Sequence, residues 1–457
     1  AYHAAAARSG FFGREAGTVL LRAALAWSAY QRSCGGLAAL PGGAAREALL
    51  AEAGSRLIDA LAAARPPGRA GSVGTGLSGP TTSGIGRAAW ARLPEDASPD
   101  RVARWWAGLR AAEQAAVLVA LPGPLGALAG LPAVVRDQAN RLALARDLST
   151  LGWRERESAL TAARRRTLRL DRRIDSALAG DSDALLYDYD PDAFDTDGAV
   201  SVFTADPATA DHVAVLVPGF TSDASDLPDL LERAEWLEAA AGSHGESTAV
   251  LAWLGYDAPD NLLGDADATR VLTASAAEQG GGLLAELTDD LYAGDHPRHL
   301  TVIGHSYGST TAALAAAHEG LRADDLVLLG SPGAGPGVHN VDGLGMSGGH
   351  VWVGANSRDP VASLGDHGWV GGSDVGVGLG HDPAEEDFGA TRFHAESAPG
   401  ADAGPLAAHG SYFEPGGESL ANLGAIVSGH PEQVGLAPGK TDPWWSGPRD
   451  PEAHRRP

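Results

Sequence analysis

Apolar positions recur at three- and four-residue spacing through roughly the first 180 residues, then contract into short runs after Asp181. The first pattern is that of amphipathic helices and the second that of buried strands. Arg14 to Ala64 is Ala/Leu-rich with Arg and Glu at helical spacing and reads as two helices. Pro66 to Gly86 is Gly, Ser, Thr and Pro with little apolar content, the composition of a flexible linker. Trp90 to Leu148 returns to the helical pattern, with breaks at Pro122-Gly123-Pro124 and Gly130-Leu131-Pro132. Residues 1–150 are thus expected to form a helical N-terminal region. A connecting helix over 151–180 crowds Arg164, Arg165, Arg166, Arg169, Arg172 and Arg173 together. In so acidic a chain that run reads as a solvated face paired with local acids, a nucleic-acid contact being the alternative.

Beyond Asp181, Leu185 to Tyr189 and Ala199 to Phe203 look like a hairpin pair. His212 to Val217, Thr248 to Trp253, Leu300 to Ile303, Leu326 to Leu329 and His350 to Val353 are apolar throughout, as strands buried on both faces must be. Helical patterns at Leu227 to Ala241, Ala268 to Ala293 and Tyr307 to Glu319 separate most of them. Strand and helix in alternation predict an α/β fold with a mostly parallel, doubly wound sheet over 181–430. The Pro-rich, polar stretch 431–457 is expected to lie over the surface as a tail.

Composition narrows the function. Of 457 residues 44% are hydrophobic and 20% charged, ample for a buried core. The formal net charge of −24 argues against binding a nucleic-acid backbone, which needs clustered Lys and Arg. Cys34 is the single cysteine, which excludes an intrachain disulfide and a Cys-type zinc site. No run of about 18 uninterrupted apolar residues is present, so no spanning helix is expected. The numbering opens at Ala1 rather than Met, which leaves room for a targeting segment ahead of it and assigns no compartment.

Two G-x-S-x-G matches occur, at Gly304-His305-Ser306-Tyr307-Gly308 and Gly345-Met346-Ser347-Gly348-Gly349. With so many glycines, chance alone supplies roughly half a match per chain, so context must decide. A nucleophile elbow needs a buried strand before the serine and a helix after it, which lift Oγ above the sheet edge. Leu300 to Ile303 and Ser309 to Ala316 provide both for Ser306; Ser347 has neither. An oxyanion hole would take one N–H from Tyr307 and another from the loop after an earlier strand, where Val217-Pro218-Gly219-Phe220-Thr221 offers Phe220. The acid should follow in a loop beyond a strand, and Asp359 does so after His350 to Val353; Asp366 and Asp374 are further from any strand end. His409 is the preferred base, in the loop ahead of a helix at Glu418 to Val427, with His394 and His381 as alternatives. Such a set needs no metal or organic cofactor. The Asp and His residues between Asp366 and His394 show no diagnostic ligand spacing.

Five ordered blocks carry a resemblance: VLVPGFT at 215–221, GHSYGS at 304–309, GSPGAG at 330–335, NSRDPV at 356–361 and HGSYF at 409–413. Over roughly Leu185 to Val427 the chain resembles an actinobacterial α/β-hydrolase family of unassigned function. The resemblance implies the hydrolase fold and a Ser306–His409–Asp359 triad, and it names no substrate. Trp105-Trp106, Arg136-Asp137 and Asn140-Arg141 also resemble a helical segment found ahead of such hydrolases. The expected activity is cleavage of a small or lipid-like carboxylic ester or thioester through an acyl-enzyme. An acyltransferase would use the same residues. A secretion-linked or partner-binding protein, with its main role in the helical half, is the expectation of another class. Oligomeric state is not legible in the sequence.

Overall fold

The computed structural model describes residues 82–154, 171–178 apart from 172, 183–259 apart from 195–196, 274–346 apart from 295–296, 348–363, 379–398, 406–441 and 450–455. The two helices expected before Ala64, most of the Arg-rich stretch, Ser347, Asp366, His367 and Asp374 lie outside them. Among the described residues no helix is long and apolar enough to cross a membrane.

Among the described residues the chain opens on the helices α1 (Thr82–Trp90), α2 (Pro99–Ala107), α3 (Ala111–Ala120), α4 (Pro122–Gly126) and α5 (Ala133–Arg154). Two expectations need correction here. The linker does not run to Gly86, because Thr82 already opens α1. Nor is Pro122-Gly123-Pro124 a plain break: Pro122 stands at the first position of α4, where its missing N–H costs nothing. These helices close a small core of Val102, Trp105, Leu109, Val117, Leu125 and Leu131. Trp105 meets Trp90 edge to face at 5.9 Å and donates its Nε1–H to the Ala89 carbonyl, so it is a packing residue.

Eight strands follow: β1 (Leu185–Asp190), β2 (Ala199–Phe203), β3 (His212–Val217), β4 (Thr248–Leu254), β5 (Leu300–His305), β6 (Asp325–Leu329), β7 (Val351–Gly354) and β8 (Thr391–Phe393). They form one sheet in the order β1-β2-β4-β3-β5-β6-β7-β8. β1 and β2 pair antiparallel, as does β2 with β4, and the other neighbours are parallel. The apolar runs mark the two-sided burial correctly. Along β3, Val213, Val215 and Val217 face one core while Ala214 and Leu216 face the other. The first core is covered by α7 (Ser275–Gly294) and α8 (Tyr307–Leu314), the second by α6 (Leu227–Gly242) and α10 (Glu418–Val427). A four-residue turn, α9 (Ala407–Gly410), precedes α10.

Local differences from the sequence reading have local causes. His350 stays outside β7 in a 3₁₀ turn, with Nδ1 held 3.1 Å from the Asp325 carboxylate. The helix expected from Tyr307 to Glu319 changes hydrogen bonding after Leu314 into a π turn, Ala315–Glu319, that ends at left-handed Gly320. The C-terminal stretch is more than a surface tail. Lys440 is buried, its Nζ donating to Asp382 at 2.7 Å and to the Ala362 carbonyl at 2.6 Å. Asp450 and Glu452 likewise pair with Arg392 and His394 of the β8 edge.

Candidate active site

The chain runs from β3 to β4 on one side of the sheet's midpoint and then places β5 on the other side of β3. Ligands in open α/β sheets gather where the strand order reverses, outside the carboxyl ends of the strands. Those ends carry the 218–221 loop after β3 and Ser306 after β5.

Ser306 has φ 56° and ψ −129°, a conformation that costs a residue with a Cβ about 1–3 kcal/mol and is held only by its surroundings. Its N–H is fixed to the Leu329 carbonyl at 2.9 Å. The turn is tight enough that a Cβ on Gly308 would stand 2.3 Å from the Pro218 carbonyl oxygen, which explains the small residue there. His409 Nε2 lies 2.8 Å from Ser306 Oγ, and His409 Nδ1 lies 2.9 Å from Asp359 Oδ2. A carboxylate partner accepts, so the imidazole proton belongs on Nδ1 and the Nε2 lone pair faces the serine hydroxyl. The structure therefore brings Ser306, His409 and Asp359 into one hydrogen-bonded chain. His394 and His381 are engaged elsewhere, with Glu452 and with Glu385 and Asp387.

Asp359 is fully buried and well supplied with donors. Tyr412 donates its hydroxyl to Oδ2 at 2.7 Å and the Val361 N–H donates to Oδ1 at 2.8 Å. Burial opposes the charge. The bonds from His409, Tyr412 and Val361, with the attraction of the imidazole, outweigh it and hold the carboxyl below the usual carboxylate range. Tyr412 is in turn fixed by the Asn356 N–H at 3.0 Å, and burial followed by the Asp359 charge drives its own pKa upward. Gly330, at φ 54°, makes room for this group: a Cβ there would stand 2.9 Å from Asp359 Oδ2 and 3.2 Å from His409 Nδ1.

Sequence reasoning missed two contributors. His305 was only a filler position in the motif, yet its Nε2–H donates to the His409 carbonyl at 2.8 Å and its ring lies 4.8 Å from the His409 ring. Burial first, then the nearby His409 and Arg233, push its pKa down to about 3, so it stays neutral. Tyr412 was visible in the HGSYF block without a role. In both cases the signal was present but the partner lay about a hundred or fifty residues away, as the separations of 104 and 53 show.

Phe220 and Tyr307 line the same cavity as Ser306. Gly219 packs on the serine so closely that a Cβ would meet Ser306 Cβ at 2.6 Å, and the Pro218 carbonyl is held by Tyr256 OH at 2.7 Å. Thr221 is strained at φ 62° and donates its N–H to the Pro259 carbonyl at 3.0 Å. The Tyr307 side chain points into the core, where its hydroxyl accepts the Ala277 N–H. The cavity measures about 570 Å³, within the range of small-molecule sites, and its walls include Leu230, Leu254, Val361, Leu379 and Leu406.

Among the described residues, two clusters bring three possible metal-ligand atoms within 4.8 Å of one another: His381, Glu385 and Asp387, and His394, Glu418 and Glu452. Neither lines the cavity. In the first, hydrogen bonds to Glu385 and Asp387 outweigh burial and raise the His381 pKa to about 9, so the imidazolium itself supplies the positive charge.

A family profile described as "Alpha/beta hydrolase" matches residues 192–367, a stretch that holds Ser306 and Asp359 and stops short of His409. An uncharacterized protein of Mycobacterium tuberculosis is 34% identical over 377 residues, covering 74% of this chain and 56% of that protein. An uncharacterized protein of Mycobacterium bovis is 32% identical over 174 residues, 36% of this chain and 62% of the other. The chain thus spans a little over half the length of these curated relatives. Among solved structures, a dienelactone hydrolase from Anabaena variabilis aligns with TM-score 0.31 and 15% identity over 52% of this chain and 92% of that one. Strand order and the profile match over residues 192–367 give this chain the α/β-hydrolase fold, and in sequence it is similar to uncharacterized proteins of mycobacteria.

Proposed function

We propose that the chain cleaves a carboxylic ester or thioester by a serine acyl-enzyme mechanism, with Ser306 as nucleophile, His409 as base and Asp359 as its orienting acid. The observation that carries this reading is the Ser306–His409–Asp359 chain at 2.8 and 2.9 Å, at the floor of an open cavity. His409 Nε2 takes the Oγ proton as Oγ attacks the acyl carbonyl. The Phe220 and Tyr307 N–H groups face the oxygen on which negative charge develops, an arrangement whose donors are worth about 10²–10³-fold each in rate. His409 then passes its proton to the leaving alcohol or thiol. Water repeats the sequence on the acyl-enzyme and frees the acid. Asp359 keeps the tautomer throughout and stays ionised, consistent with its lowered pKa. An acceptor alcohol in place of water would give acyl transfer from the same residues.

A panel of 4-nitrophenyl esters of increasing acyl length tests the reading. Turnover by wild type that disappears in Ser306→Ala supports it. Turnover that persists in Ser306→Ala would move the nucleophile elsewhere.

A further inference from the structure

The N-terminal half of α6 presents a stripe to the cavity, Asp226, Asp229, Leu230 and Arg233, at the i, i+3, i+4, i+7 spacing of one helix face. Arg233 is the only lysine or arginine lining the cavity among the described residues. It is half-buried and makes no hydrogen bond or ion pair among them. That is unexpected from local sequence. Asp229 stands four residues before it, the favourable order for an acid–base pair on a helix, yet the pair does not form. Its guanidinium, with five N–H donors, is left to the cavity. Arg233 also contributes to the low pKa of His305, after burial and His409.

The neighbouring acids do not remove this opportunity. Asp226 is occupied as a cap, accepting the Asp223 N–H at 3.1 Å, and burial above all raises its pKa. Asp229 is exposed at the rim. The net charge of −24 disfavours anions at long range, but salt screens exposed charges beyond about 8 Å at physiological ionic strength. Inside a cavity otherwise walled largely by apolar side chains, an arginine with no partner among the described residues is a fork for a planar or tetrahedral oxyanion.

We propose that the natural substrate carries an anionic group, carboxylate or phosphate, on one arm of the scissile ester, and that Arg233 binds it. This rests on the serine-hydrolase reading above.

The test compares matched esters. Mono-4-nitrophenyl succinate against 4-nitrophenyl butyrate places the charge on the acyl arm. 4-(Carboxymethyl)phenyl acetate against 4-methylphenyl acetate places it on the alcohol arm. Wild type is expected to favour the charged member of one pair. Arg233→Gln is expected to cut the charged-to-neutral ratio of kcat/KM for that pair by ~10–100-fold, the worth of a hydrogen-bonded charge. Arg233→Lys should restore part of the ratio. In wild type, glutarate or inorganic phosphate should slow labelling of Ser306 by a neutral fluorophosphonate, and the stronger competitor identifies the oxyanion. This arm holds even if Arg233→Gln fails to fold. Equal use of both members of each pair, with no protection by either anion, overturns the assignment while turnover lost in Ser306→Ala leaves the hydrolase reading intact. Absence of both turnover and labelling in wild type sinks both.

Discussion

Two buried polar networks in this molecule use similar groups to opposite ends. At the carboxyl edge of the sheet, Ser306, His409, Asp359 and Tyr412 are linked into one chain that opens on the cavity. At the junction of the N-terminal helices with the sheet, Arg136 of α5 is buried between Asp188 of β1 and Asp290 of α7. Tyr187 OH donates to Asp290 at 2.9 Å, and the Arg136 guanidinium stacks 4.0 Å above the Tyr187 ring. Arg136 also donates to the Gly126 carbonyl at 3.0 Å, so it ties α4, β1 and α7 together. Asn140 and Arg141 add bonds to the β1 backbone and the Ala184 carbonyl.

The difference lies in the partner chosen for the acid. Asp290 faces a guanidinium, which never gives up its proton, so the charges are fixed and the junction is a lock. Asp359 faces an imidazole, which both donates and accepts hydrogen bonds, and the imidazole faces a hydroxyl that lines the cavity. A lock has no need of an exit. The second network has one. Helices α4 and α5 are therefore tied directly to β1 and α7.

The comparison can be broken at graded cost. Ser306→Ala should lower ester turnover by ~10⁴-fold or more while changing stability by about 1 kcal/mol or less, seen by parallel kinetics and thermal unfolding. Arg136→Met should do the reverse. It strands the buried Asp290 and the part-buried Asp188 and is expected to cost about 3–5 kcal/mol in denaturant unfolding, with kcat per folded molecule retained. Should that variant lose kcat at full stability, the junction would belong to the site after all. Tyr412→Phe leaves His409 as the main partner of Asp359 Oδ2. A loss of about 1–2 kcal/mol is expected, read as roughly tenfold in kcat, with a smaller effect on KM.

The smallest effect is at His381. Its folded pKa lies above the ordinary value, so its stabilisation is fully present below about pH 6.5 and is lost as pH rises through about 9. Wild type should exceed His381→Gln by about 1–2 kcal/mol at pH 6, after allowance for solvent screening, and match it above pH 9. A difference independent of pH would mean the ring acts only by packing.

Much of this was legible along the chain. The strands between His212 and Val353 were readable because two-sided burial leaves uninterrupted apolar runs, and the elbow because its geometry demands strand, serine and helix in sequence. Chain order pointed to Asp359 and to His409, with His394 and His381 as alternatives, and the structure places Asp359 and His409 in one hydrogen-bonded chain with Ser306. Lys440 was not legible, since nothing in a Pro-rich polar stretch reveals that its only lysine reaches Asp382, 58 residues away. The same holds for His305 and Arg233. Each has an ordinary local pattern, and its meaning depends on what the fold brings opposite it.

The most direct measurement is the mass of the intact protein after treatment with a fluorophosphonate, followed by peptide mapping of the adduct. One adduct, on the Ser306 peptide, absent from Ser306→Ala and slowed in His409→Gln, is the expected result. An unmodified folded wild type, or an adduct on another serine such as Ser347, would contradict the assignment of Ser306 as the activated nucleophile.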